Sequence, residues 1–183
     1  MIMDGLLLLD GSVSAGGVFA GTSVSSGSTF TDSGTQQSAN IIDVSQLASS
    51  AKGYGRDIGI GDDLELVVVV TTNFAGTGAT MQVQLQYAPD GGSGSPGSFV
   101  TVAESIAYAV GVLLAGTELM RIKLPPMTPS PATGSAMMKY IAMNYNVGTA
   151  NMTAGAIAAF IVIDRTALGP GLGYQSGYSN QYL

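Results

Sequence analysis

The 183-residue chain contains no cysteine, no histidine and no tryptophan. Without cysteine there is no disulfide framework, no thiolate nucleophile and no thiolate-bound zinc or iron–sulfur centre. Without histidine the chain lacks the commonest general base and metal ligand, so a Ser-His-Asp triad is excluded. We therefore expect no catalytic residue, no metal and no cofactor, and we predict that the protein is not an enzyme.

Charged residues are also scarce, at 10% of the chain, and they are mostly acidic: six Lys and Arg stand against twelve Asp and Glu, for a net charge of −6. The basic residues are scattered along the sequence at Lys52, Arg56, Arg121, Lys123, Lys139 and Arg165. An acidic chain repels the phosphate backbone, and scattered cations release few counterions. The sequence therefore predicts no nucleic-acid partner.

Long apolar runs are missing too. The four leucines of residues 6–9 have no basic residue ahead of them and end at Asp10, unlike a signal peptide. The longest apolar run elsewhere, residues 156–163, is too short to span a bilayer. We expect a protein that is made in the cytoplasm without a signal peptide and has no membrane partner.

What the chain does contain is a series of short strand patterns separated by Gly- and Pro-rich turns. Residues 64–72 are β-branched and apolar on both faces, as in a central buried strand. Residues 81–87 alternate strictly, with three glutamines on one face. Residues 106–114 alternate as well, but their alanines also permit a helical turn, so both interpretations stay open.

Further strand patterns cover residues 99–103, 120–124, 141–147 and 155–164, which gives six or seven strands and no long helix. Such a pattern predicts an all-β protein, a jelly-roll-like β-sandwich with extended N- and C-terminal arms. The side chains predicted to be buried lie on the apolar strand faces: Val68, Val70, Leu85, Ile122, Met143 and Ile161.

Composition divides the chain into three parts. Residues 1–39 form a Gly/Ser-rich N-terminal arm or long loop, residues 40–165 the β-sandwich domain, and residues 166–183 a Tyr/Gly-rich C-terminal arm. Low-complexity segments bury too little surface to fix their own backbones, so each arm either orders against a partner or stays a linker or frayed end. The tail carries four candidate interface anchors, Tyr174, Tyr178, Tyr182 and Leu183.

Few clusters of polar residues suggest chemistry. Asp62 and Asp63 with Glu65 could hold calcium, but polar residues are also ordinary where a turn enters a strand. The glycine-rich residues 53–61 lack the Lys-Ser/Thr of a phosphate loop. The remaining candidates are two pairs, each predicted as an interface: Arg56 with Asp57 at the rim of the sandwich, and Arg121 with Lys123 on the polar face of one strand, which is either solvated or docks an acidic partner.

Several short motifs, taken in order, resemble one protein family. They are residues 6–10, 40–43, 56–61, the strand ending at Val70, 81–86, 115–119 ahead of Leu124-Pro125-Pro126, 140–145, 153–155 and Asp164. In this order they resemble the capsid cement (decoration) proteins of tailed bacteriophages. The resemblance covers most of residues 40–165, and residues 11–39, residues 125–134 and the Tyr-rich tail depart from it.

The resemblance implies a non-catalytic structural protein of the virion. It implies a jelly-roll-like sandwich that binds the major capsid protein on the outer capsid surface and associates with itself as a homo-oligomer, a dimer or a trimer. The main alternative is a carbohydrate-binding β-sandwich for host or glycan recognition. That function needs an aromatic platform, for which the domain offers Tyr54, Tyr87, Tyr108 and Tyr140.

Overall fold

The computed structural model describes residues 8–13, 19–20, 22–23, 34–43, 64–125 and 138–163. Its strands are β1 Leu8–Asp10, β2 Ser12–Val13, β3 Phe19–Ala20, β4 Thr22–Ser23, β5 Gly34–Gln37, β6 Ile42–Asp43, β7 Leu64–Ala75, β8 Thr80–Gly92, β9 Ser95–Pro96, β10 Val100–Glu104, β11 Tyr108–Ala109, β12 Glu118–Lys123, β13 Met138–Gly148 and β14 Ala154–Ile163. A 3-10 helix, Val110–Val112, is the only helix in these ranges, and none of them holds a helix long and apolar enough to cross a membrane.

Two antiparallel sheets make up the sandwich, and β2 and β3 form a separate two-stranded sheet. The front sheet has the order β1-β14-β7-β12, with β4 also paired to β14, and the back sheet has the order β10-β8-β13-β5. Strands β9 and β11 extend the back sheet along β8, and β6 extends it along β13. The chain alternates between the sheets from β1 to β5, β7 and β8, and again from β10 to β12, β13 and β14, which is the strand order of a jelly roll. The predicted all-β, jelly-roll-like sandwich is confirmed.

The four central strands follow the sequence patterns closely. On β8 the alternating Met81, Val83, Leu85 and Tyr87 are all buried in the main core, while the glutamines between them are half-buried on the other face. Strands β7 and β14 are apolar on both faces, and their residues pair directly from Ile157 with Val70 to Ile163 with Leu64. Apolar side chains on both sides suit a strand that is covered on both faces.

The core lies between the sheets. Of the six side chains predicted to be buried, Val68, Val70, Leu85, Met143 and Ile161 are buried, whereas Ile122 is only half-buried and packs against the core from one side. Ile122 lies on β12, which is the last strand of the front sheet, so no neighbouring strand covers its far side among the described residues.

The N-terminal part of the chain enters the sandwich before residue 40. Leu8 pairs with Phe160 and Thr22 pairs with Ile157, so β1 and β4 lie along the same edge of β14, and the β2–β3 hairpin interrupts them. Strand β5 then pairs with β13 in the back sheet. Part of the segment predicted as an N-terminal arm or long loop, residues 1–39, thus pairs with both sheets. Edge strands of two to four residues leave no periodic pattern in a Gly/Ser-rich sequence.

Residues 106–114, for which both a strand and a helical turn were open, contain a short piece of each. Two residues, Tyr108 and Ala109, pair with β8 as β11, and the 3-10 helix follows at once. Of the alternating apolar residues, Tyr108 and Val110 pack against the core, while Ile106, Val112 and Leu114 are exposed. The alternation therefore does not mark one buried face here, and the core residue of this segment is Leu113.

One glycine position explains how β14 packs against β7. Gly155 has a φ of +133°, and a Cβ atom there would overlap the ring of Phe74. Any side chain at residue 155 would clash with the buried Phe74, so the close approach requires glycine.

Candidate interaction surfaces

The outer face of the front sheet carries a second apolar cluster. Leu8, Val67, Ala158 and Phe160 form it, and all four are buried, with Val69 and Val162 packed beside them. They alternate with the core residues of the same strands, so this sheet is apolar and covered on both sides. Because the chain already covers this cluster, it is not a free docking surface.

Arg121 lies at the edge of this outer face, in register with Val67. Its Nη1 lies 2.9 Å from Oε2 of the buried Glu65, and its Nη2 lies 2.8 Å from Oε2 of Glu118. The hydrogen bond from Arg121 lowers the pKa of Glu118, and the same bond raises the pKa of Arg121 above its usual value. The guanidinium is thus shared by two carboxylates of its own chain, which an acidic partner would have to displace.

The other predicted interface residues divide into two groups. Lys123 is exposed near Arg121 and lies in register with Glu65 on β7. Arg56, Asp57, Tyr174, Tyr178, Tyr182 and Leu183 lie outside the described residues, as do Asp62 and Asp63 of the acidic cluster considered for calcium. The third member of that cluster, Glu65, is bound to Arg121.

A second ion-pair cluster, which the sequence did not indicate, lies where β13 begins. Lys139 Nζ lies 2.9 Å from Oδ2 of Asp90 and 3.9 Å from Oδ2 of Asp43, and it stands 5.1 Å from the centre of the Tyr140 ring. The hydrogen bond from Lys139, followed by one from the Gly92 N–H, lowers the pKa of Asp90. Asp90 is half exposed, so solvent screens this pair and its effect on stability is small.

A buried carboxylate ties the two sheets together. Asp10 of β1 accepts a hydrogen bond from the hydroxyl of Tyr145 on β13 at 2.5 Å, and another from the Ala39 N–H at 2.9 Å. Burial, and then the charge of Asp10, raise the pKa of Tyr145 well above its usual value. Next to it the Asn40 side chain donates to the Leu8 carbonyl at 3.1 Å. The N-terminal strand is therefore fixed to the back sheet as well as to β14.

The outer face of the back sheet is an amide surface. Asn144 donates to Gln84 at 2.8 Å, and Gln84 donates to Glu104 at 3.1 Å, which makes a row of side chains across β13, β8 and β10. Beside this row Gln86 donates to the Thr101 hydroxyl at 3.2 Å. The three glutamines predicted to face away from the core thus form the centre of a polar face on which Glu104 is the charged member.

The tyrosines needed for a sugar platform are placed differently. Tyr87 is buried and donates its hydroxyl to the Pro125 carbonyl at 2.7 Å, and burial raises its pKa. Tyr140 is buried, and Tyr108 is half-buried and donates to the Leu119 carbonyl. Tyr54 lies outside the described residues. Of the three platform candidates that the structure describes, two are therefore buried and one is half-buried.

Fold and surfaces together define a jelly-roll-like antiparallel β-sandwich with one apolar, self-covered outer face and one amide-rich outer face. The model of the Bbp16 family matches residues 24–161, most of the chain, and the protein belongs to the Bbp16 family. No curated protein matches the chain.

Proposed function

We propose that this protein is a structural capsid cement (decoration) protein that binds the outer surface of a major capsid shell and stabilises it. The observation that carries the proposal is that the described carboxylates of the sandwich are bound by groups of the same chain. Each one that the structure describes accepts a hydrogen bond or pairs with a cation of the same chain: Asp10, Asp43, Glu65, Asp90, Glu104 and Glu118. Their role is to fix strands to one another.

Two further arguments support a structural role. Double-sheet jelly rolls occur repeatedly as viral capsid domains, although a fold alone does not decide function. The ordered motifs from residues 40–43 to Asp164 resemble cement proteins of tailed bacteriophages, which bind a shell in many copies. Partners under this proposal are the major capsid protein and further copies of this chain, and the location is the outer surface of the virion.

Rupture of particles tests the proposal. Particles that lack the chain should break at a lower temperature or internal pressure than complete particles, because a cement protein adds contacts between shell subunits. Purified chain added back should restore the threshold. Equal thresholds with and without the chain would contradict the proposal.

A carbohydrate-binding module remains the second candidate, and the amide row favours it. The half-buried Gln84 and the exposed Glu104 offer donors and acceptors that bind sugar hydroxyls, whereas Asn144 is buried. The buried Tyr87 and Tyr140 speak against it, because sugar sites generally stack an open aromatic ring against the pyranose face. A glycan array separates the two functions: a cement protein should retain no glycan selectively.

A further inference from the structure

The two ends of the sandwich differ in charge. At one end, here called the charged end, β14 ends at Ile163, β7 begins at Leu64 and β13 begins at Met138. The opposite end, here called the turn end, consists of residues 76–79 between β7 and β8, residues 105–117 and residues 149–153 between β13 and β14. Backbone hydrogen bonds join its parts, from Val110 N–H to the Ala79 carbonyl at 2.9 Å and from Thr153 N–H to the Ala75 carbonyl at 2.8 Å.

All described cations lie towards the charged end. Lys123 pairs in register with Glu65, Arg121 with Val67, and Lys139 stands beside Asp90. By contrast, the described residues of the turn end include no Asp, Glu, Lys or Arg. The adjoining strand halves, residues 70–75, 80–85 and 145–160, include none either. The described charges that border this half are carboxylates: Asp10 is in register with Ala159, Glu104 is in register with Gln84, and Glu118 follows residue 117. Asp32, the one ionisable residue between β4 and β5, lies outside the described residues.

Exposed large apolar side chains gather at the turn end. Ile106 is 72% exposed, Val112 52% and Leu114 51%, whereas Leu113 between the last two is completely buried. Single exposed apolar residues are ordinary on a protein surface. Three within nine residues, on an end with no described charge, are typical of the centre of a protein interface, where charged residues are depleted.

The segment that presents these side chains is held rigidly. The Phe74 N–H donates to the Leu113 carbonyl at 2.9 Å, and the Gly116 N–H donates to the Val70 carbonyl at 2.8 Å. The Asn73 side chain accepts from the Ala115 N–H at 2.7 Å. With Leu113 inserted in the core, Val112 and Leu114 are fixed on either side of it. A surface ordered in advance loses little conformational entropy when it binds.

From this segregation we infer that the turn end is the surface that binds the shell, and that it contacts an apolar patch of the shell protein that carries no carboxylate. The inference rests on the proposed function. A protein attached to a shell by one end needs a charged end facing solvent and an end poor in charge facing the contact. A carboxylate on the shell patch would lose its water and find no cation among the described residues of the turn end, and the bordering Glu104 and Glu118 would repel it. Since the apolar contact does not depend on ion pairs, its affinity should depend little on salt.

The test is a binding titration of full-length chain on shells that lack it. The double variant Val112→Asp/Leu114→Asp places two carboxylates in the contact, and we expect it to bind at least about tenfold more weakly than the natural chain. Ile41→Asp is the matched control, because Ile41 is an exposed apolar residue next to β6, away from the turn end. Its affinity for the shell should stay within about twofold of that of the natural chain. Both variants change exposed side chains, so each should keep the unfolding midpoint of the natural chain.

The possible outcomes separate the two claims. Failure of the natural chain to bind any shell would overturn the proposed function. Binding of the natural chain with equal affinity for the double variant would leave the proposed function standing and overturn the docking surface. Sedimentation velocity of the free chains tests the alternative that the turn end binds a second copy of this chain. If the natural chain is an oligomer and the double variant is a monomer, the turn end joins copies of this chain and the inference is wrong. If the double variant fails to fold, Ile106→Asp repeats the test from the opposite side of the segment.

Discussion

The outer faces of the two sheets differ in kind, although both sheets have the same antiparallel construction. Outside the front sheet the side chains are aliphatic or aromatic and buried, as at Val67 and Phe160. On the back sheet they are amides joined in a row through Gln84. The front face therefore contributes to stability as a second small core, whereas the back face is an ordered polar surface that is buried at Asn144, half-buried at Gln84 and exposed at Glu104.

The largest expected effect comes from a charge in the front cluster. Ala158 is completely buried there, and Ala158→Asp would leave an unpaired carboxylate in an apolar site. We expect a loss of about 3–5 kcal/mol in the free energy of unfolding, measured by urea denaturation. The control is Thr101→Asp on the exposed amide face, which should change stability by about 0.5 kcal/mol or less. Similar losses in both variants would show that the two faces do not differ as described.

The next largest effect is expected from removing the hydrogen bond between Tyr145 and Asp10, which joins the two sheets. Tyr145→Phe removes the hydroxyl that donates to Asp10 and leaves a buried carboxylate short of one donor. The expected cost is about 1–3 kcal/mol. Tyr108→Phe, which removes a less buried hydroxyl from the Leu119 carbonyl, should cost less. Hydrogen exchange adds a local readout: residues 8–10 should lose more protection in Tyr145→Phe than in Tyr108→Phe.

A smaller effect is expected at the rim of the front face. Arg121→Gln leaves Glu65 and Glu118 without their cation, but Arg121 is nearly half exposed, so the cost should be about 1 kcal/mol. Because Arg121 lowers the pKa of Glu118 in the folded state, the contribution of this pair is present above the unfolded pKa of Glu118 and is lost as the pH falls through the folded one. Thermal melts between pH 7 and pH 3 should therefore show the natural chain losing its advantage over Arg121→Gln on acidification. A constant difference across this range would contradict the assigned pairing.

The smallest effect belongs to the amide row. Gln84→Ala removes both the acceptor for Asn144 and the donor to Glu104 on a half-exposed surface. A loss of about 0.5–1.5 kcal/mol is expected. A double-mutant cycle of Gln84→Ala with Asn144→Ala should give a coupling energy above zero. Strict additivity of the two single losses would show that the Gln84–Asn144 hydrogen bond does not stabilise the fold.

Features that depend on residues close together in the sequence could be predicted, whereas features that depend on the pairing of distant strands could not. The alternation of residues 81–87 identified the face of Leu85, and the β-branched residues 64–72 identified a strand covered on both sides, because period-2 patterns are local. The sequence could not say that covering the outer side of β7 creates a separate cluster with Leu8, since that depends on β1 pairing with β14.

The polar contacts were less predictable still. Asp10 and Tyr145 are 135 residues apart and Lys139 and Asp90 are 49 apart, and no local pattern marks either pair. Arg121 was recognised as a surface cation, but its two carboxylate partners depend on the register of β12 against β7. The segregation of charge between the two ends likewise emerges only when the strand order is known.

The most direct measurement of the central claim is an image reconstruction of particles prepared with and without this chain, at a resolution that shows single domains. If the chain is a cement protein, particles that contain it should show extra density at regular positions on the outer surface of the shell, each large enough for a β-sandwich. Identical outer surfaces in the two preparations, or density only inside the shell, would contradict it.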